Sequence, residues 1–370
     1  MTEFLYWFLL MIFSYLVVLF CYMYFSDKNE VLNNILGFSA LFLTFVVIVI
    51  VVLLMFQDIT LYSSTIPIFI LSFGLPLLII GATILISSVL LFLFKRIFKN
   101  KDLSKFWTLL DKKSNKRSKL RADTYRKIPH VLIFIGLLFI WYIGVMVVQD
   151  LTSSTNIIGM IPDDNNTFLL FLRILTEPKS IRSVLFSLGW FYYLLFFFFY
   201  AFCFIMIANE FTRKVKGLGF PFNFLCRALL CEEEKRSYGT YLFFAIGQMV
   251  AALITPPMVF LTILGMSSLA DLATSQIGIR FGKNKIKWNN EKSWQGSVAG
   301  VFVCFIICTL FIGVYWALIF TIAFFLFDVF TNKPLNVSDN LLIPFGSSLI
   351  FLFIRFFFNL KIDTIILAWI

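Results

Sequence analysis

Long apolar runs separated by short polar stretches set the plan of this chain. Runs of about twenty residues, enough to cross the hydrocarbon core of a bilayer, fall near residues 4–25, 35–56 and 66–94. Further runs lie near 131–148, 183–208, 238–254 and 257–270. Thr255-Pro256-Pro257 separates the last two and suits a tight turn. The run 296–330 is too long for one crossing without strong tilt, and Gly313 is the natural place to divide it. A final run covers 341–358. The pattern predicts an all-α, polytopic membrane bundle of about ten transmembrane helices, with both chain ends on the outer side.

Composition agrees with that pattern. Hydrophobic residues make up 60% of the chain, charged residues only 14%, and the mean hydropathy is +0.92. A soluble domain does not carry so many uninterrupted apolar segments. The first run lacks a preceding cationic stretch, so it reads as a retained span and not a cleaved signal. The six cysteines are scattered, with no disulfide framework and no zinc spacing.

Charge is concentrated. Residues 95–127 hold thirteen Lys/Arg against Asp102, Asp111 and Asp123, so ten of the eleven formal net positive charges come from this one loop. The positive-inside rule puts it in the cytoplasm, where it touches anionic headgroups and not nucleic acid. Residues 149–182, with Asp150, Asp163, Asp164 and Glu177, then fall outside, and Asn165-Asn166-Thr167 there fits a glycosylation acceptor. Three segments follow from this count: a three-span part over 1–94, the basic loop 95–127, and a membrane domain over 128–370.

Four polar motifs reach the cytoplasmic face by the same count: Arg126–His130, Arg227–Ser237, Asp271–Gly296 and Asp339–Asn340. The third reads as a polar loop over 271–295. Asp271 sits where an apolar run ends, small residues follow, and Arg280, Lys283, Lys285, Lys287 and Lys292 come in quick succession. An acid, glycines and clustered cations suit a metal-bound polyphosphate: the carboxylate holds the ion, glycines admit backbone N–H groups, and cations neutralise phosphate. A basic loop beside a span is also what orientation alone requires. His130, the only histidine, suits either a headgroup contact or proton transfer. Glu232 and Glu233 fit a solvated charge run or a metal ligand, and Asp339-Asn340 fits a helix cap or a metal and nucleotide contact. No P-loop, kinase H-R-D or G-x-S-x-G elbow is present.

The order D-x-A-x-x-x-x-G-x-R-x-G-K from Asp271 to Lys283, then K-S-x-x-G-S-x-A-G from Lys292 to Gly300, resembles the signature of the CTP-dependent lipid kinases. That family includes the polyprenol and dolichol kinases, phytol and farnesol kinases and CTP-using diacylglycerol kinases, and is related to the CDP-lipid synthases. R-K-x-x-H at Arg126–His130, the acids before Gly239-Thr240, and D-N-L-x-x-P from Asp339 to Pro344 are similar to further motifs of the family. Ala270 and Gln295 depart from it, standing where the family usually has Gly and Glu.

The resemblance covers the chain from about Arg126 onward. It implies phosphorylation of a lipid alcohol (polyprenol-like or diacylglycerol) by CTP with Mg2+, giving lipid phosphate and CDP. It implies Asp271, Lys292 and His130 as catalytic, and Asp271, Glu233 and Asp339 as metal ligands. Nucleotide contacts would come from Arg126, Lys127, Gly278, Arg280, Gly282, Lys283, Lys285, Ser293, Gly296 and Asn340. The active face would be cytoplasmic, at a prokaryotic plasma membrane or the endoplasmic reticulum. A CDP-lipid synthase, which releases pyrophosphate, is the alternative enzyme reading; a transporter or lipid-binding scaffold is the non-enzymatic one.

Overall fold

The computed structural model describes residues 31–57, 69–97, 118–152, 190–214, 237–331 and 335–362, parts of 14–25, and Thr108 and Lys112. Besides a helical stretch at 20–25, nine helices fall within these residues: α1 (Val31–Gln57), α2 (Ile70–Ile97), α3 (Lys119–Thr152), α4 (Trp190–Lys214), α5 (Thr240–Ile254), α6 (Pro257–Phe281), α7 (Trp294–Ile312), α8 (Val314–Phe330) and α9 (Asp339–Phe358). Seven are long and apolar enough to cross a membrane; α5 and α8 are shorter and equally apolar. The protein is an all-helical polytopic membrane protein. The first apolar run lies mostly outside the described residues.

Burial sorts the helices. α5 is buried along its whole middle, from Leu242 to Leu253, and packs between α1, α4 and α9. The richest apolar stretch of α6 is 78% buried, whereas that of α2 is only 11% buried. An apolar helix with so little protein cover has lipid as its solvent. α5 and α6 therefore form the interior, and α2 lies toward the lipid.

The breaks fall where backbone chemistry demands them. Thr255 and Pro256 are extended between α5 and α6. Gly313 carries φ 88 between α7 and α8, a conformation glycine adopts without the steric cost of a side chain. Two boundaries differ most from the sequence expectation. α3 begins at Lys119 and not near 131, and α6 runs on to Phe281 instead of ending at 270. The polar residues of both extensions face one another, so pairing offsets the burial that the apolar pattern seemed to forbid. The expected loop 271–295 shrinks to a short connection carrying an antiparallel hairpin, β1 (Lys285–Ile286) and β2 (Asn289–Ser293).

Candidate functional site

α3 and α6 lie antiparallel, tied at three levels. Ser268 Oγ donates to the His130 carbonyl at 3.2 Å, the Lys127 ammonium pairs with the Asp271 carboxylate, and Gln276 Nε2 donates to Asp123 Oδ2 and Thr124 Oγ1, each at 3.1 Å. Asp271 follows a π-helical turn, Met266–Ala270. Such turns rotate the residues beyond them by one position and recur at functional sites. Lys127 and Asp271 are both buried and pair directly, and the Asp339 and Asp123 carboxylates also act on Lys127.

A second ion cluster surrounds Lys292 on β2. Its ammonium donates to Asp328 of α8 at 2.7 Å and to Asp339 of α9 at 3.2 Å. Ser297 Oγ, in the first turn of α7, donates to the other Asp328 oxygen at 2.7 Å. The hairpin is held there by Asn289, whose Nδ2 donates to the carbonyls of Val329 and Thr331 at 3.2 and 2.8 Å. Trp288 stacks on Phe330. Burial alone would push the Lys292 pKa down, but the two carboxylates outweigh it and hold it above the ordinary lysine range. Lys292 therefore stays charged near neutral pH, which suits holding an anion and not accepting a proton.

The two clusters form one site. Asp339 lies within electrostatic reach of Lys127 and Arg126 as well as Lys292, and His130 within reach of Lys127, Arg126 and Asp339. The start of α7, the end of α8 and the start of α9 thus meet the α3–α6 pair at one end of the bundle. Three motifs, Arg126–His130, Asp271–Gly296 and Asp339–Asn340, converge here. Glu232, Glu233 and Arg227 lie outside the described residues. Ser237, the last residue of that fourth motif, accepts from Arg213 through its carbonyl.

Individual residues take different places. His130 stacks flat on Phe244, ring centroids 3.8 Å apart. Arg126 pairs with Asp123 at 3.2 Å. Asn340 is buried in the first turn of α9, its backbone N–H bound to Asp339 Oδ1. Arg280, Lys283, Lys285 and Lys287 are exposed and form no ion pair among the described residues.

The glycines and Ser293 have packing and capping places. A Cβ on Gly296 would fall 2.5 Å from the Thr274 carbonyl and 3.0 Å from Gly278 Cα, and one on Gly282 would fall 2.5 Å from Ser293 Oγ. These glycines let α6 and α7 approach backbone to backbone. Ser293 caps α7, accepting from the Gly296 N–H at 3.3 Å.

Sequence reasoning missed Asp328. It is the single acid in the apolar run 296–330, and an unexplained carboxylate in such a run is itself a signal of function. A separate buried pair was also missed: Glu210 and Arg213 of α4, with the Tyr241 hydroxyl donating to Glu210.

For Mg2+ the donors present are two carboxylates, Asp328 and Asp339. Among the described residues no three His, Cys, Asp or Glu side chains cluster as a ready-made metal site. Asp328 and Asp339, however, reach one ammonium together, and Mg2+ is commonly held by one or two carboxylates plus substrate phosphates and water. No protein-family model matches the chain, and neither a curated protein nor a solved structure does.

Proposed function

We propose that the protein is a membrane-embedded phosphotransferase that moves the γ-phosphoryl group of CTP onto a lipid alcohol. The observation that supports this best is the convergence of Lys127, Asp271, Lys292, Asp328 and Asp339 at one end of the bundle. A polyanionic donor needs clustered cations, and a lipid acceptor needs them at the edge of an apolar bundle. The preference for CTP rests on the motif resemblance alone. The active face is read as cytoplasmic from the basic loop.

In this reading Asp328 and Asp339 would hold Mg2+, and the bound ion supplies charge neutralisation on the phosphates. Lys292 and Lys127, now clamped by carboxylates, turn to phosphate oxygens when the donor arrives. Arg280, Lys283 and Lys285, exposed on and beside the hairpin, gather the nucleotide from water. The alcohol oxygen forms its bond to the γ-phosphorus as the bond to the β,γ-bridging oxygen breaks, and that electron pair leaves on CDP. The hydroxyl proton passes to the Asp271 carboxylate, released when Lys127 turns to phosphate. His130, buried beside Lys127 and Arg126, stays neutral and helps position the hydroxyl.

The test is to supply purified protein with Mg2+, CTP and a polyprenol or diacylglycerol and to identify both products. Lipid phosphate with CDP supports the kinase. Pyrophosphate with a CDP-lipid replaces it by the synthase, and turnover of neither kind leaves a transporter or scaffold. Asp271→Asn should lower turnover by about a hundredfold or more; a substantially active variant counts against the mechanism.

A further inference from the structure

Behind the charged end, several buried polar atoms make no hydrogen bond among the described residues: both amide atoms of Gln248, His130 Nδ1, Asn340 Oδ1 and Ser347 Oγ. Gln248 is fully buried in the interior helix α5. A membrane bundle offers such groups no water, so leaving them without partners is costly.

Three of them flank one turn of α5. His130 stacks on Phe244, and Gln248 lies one helical turn further along the same face. On the adjoining face Gly247 touches α9, where a Cβ would fall 2.6 Å from Pro344 Cγ and 3.0 Å from the Asn340 carbonyl oxygen. His130 and Asn340 in turn adjoin Asp339 and the lysines that the mechanism uses.

Their chemistry is selective. His130 Nδ1, Asn340 Oδ1 and Gln248 Oε1 are acceptors; Gln248 Nε2 donates, and Ser347 Oγ can do either. A neutral alcohol, with one O–H to give and lone pairs to receive, satisfies such a set. A lipid phosphate brings only acceptors and charge, and would meet oxygen against oxygen.

We propose that Gln248, with Asn340 and His130, recognises the free hydroxyl of the lipid substrate and sets the enzyme's specificity for an alcohol over an ether or a phosphate. This rests on the phosphotransferase reading for its substrate but not for its test. Gln248→Met keeps the length of the side chain and removes its hydrogen bonds. Binding of a long-chain polyprenol and of its methyl ether, which accepts but cannot donate, is measured on the full-length protein, together with the melting temperature and steady-state kinetics.

The wild-type protein should bind the alcohol at least about tenfold more tightly than the ether. Gln248→Met should erase that preference and raise KM for the alcohol about ten- to a hundredfold. KM for CTP should not change. Its melting temperature should rise, because an amide without hydrogen-bond partners among the described residues has been removed. Equal binding of alcohol and ether by the wild-type protein overturns the proposal, as does a variant that melts earlier yet keeps the preference. Alcohol preference without any phosphorylation leaves the hydroxyl site standing and removes the kinase reading.

Discussion

Lys127 and Asp271 hold one another's charge with 2% of either side chain exposed. Removing one partner strands a buried ion, at a cost of about 3–5 kcal/mol, whereas replacing both with apolar groups of similar volume is often close to neutral. Lys127→Met should therefore lower stability by about that amount in detergent denaturation, and Lys127→Met with Asp271→Leu should recover most of it without restoring turnover. A double variant less stable than the single one would mean that Asp271 has a structural partner besides Lys127. Asp328 makes a sharper case, because it binds Lys292 and Ser297 through its two oxygens. Asp328→Asn keeps the shape and removes the charge. Turnover should fall about tenfold or more, with a raised Mg2+ requirement. An unchanged Mg2+ dependence would leave Asp328 as a brace for Lys292 only.

The helices that build the site do so through close backbone approach. Thr274 of α6 lies against Gly296 of α7, and the space for a Cβ at Gly296 is taken by the Thr274 carbonyl. Gly296→Ala should push α6 and α7 apart and cost about 1–3 kcal/mol, read as a lower melting temperature; a variant of unchanged stability would free this glycine for a ligand role. The same contact explains what the sequence could and could not reveal. Apolar runs and the breaks at Thr255-Pro256 and Gly313 are local signals, and the structure has its boundaries there. The extension of α6 through Asp271 and of α3 back to Lys119 depends on residues 144 positions apart pairing with each other, as Lys127 and Asp271 do. No local pattern carries that. The hairpin is anchored by Asn289 on the end of α8, so its fold also rests on a partner distant in sequence. Asn33 of α1, in a segment whose role the sequence left open, accepts from the Ser338 N–H beside Asp339.

At the scale of the whole molecule, chain connectivity fixes which parts share a face. The basic segment 95–117 feeds directly into α3 at Lys119, whose first turns carry Asp123 and Lys127. Those residues touch Gln276 and Asp271 near the end of α6, and α6 leads straight into the hairpin. α7 starts from the hairpin, and the turn at Gly313 brings α8 back so that Asp328 meets Lys292. The start of α3, the hairpin and both ion clusters therefore lie on one side of the bilayer. On the proposed function that side is the cytoplasm, by the excess of Lys and Arg and by the need for a nucleotide donor. In a background lacking the six native cysteines, a cysteine placed at exposed Lys285 should react with a membrane-impermeant maleimide in inverted vesicles and not in intact cells. A cysteine at exposed Val314, beside the Gly313 turn, should show the opposite preference or be shielded by lipid. Labelling of Lys285→Cys from outside intact cells would put the lysines and carboxylates away from the nucleotide pool, and the phosphotransferase reading would fall with its orientation.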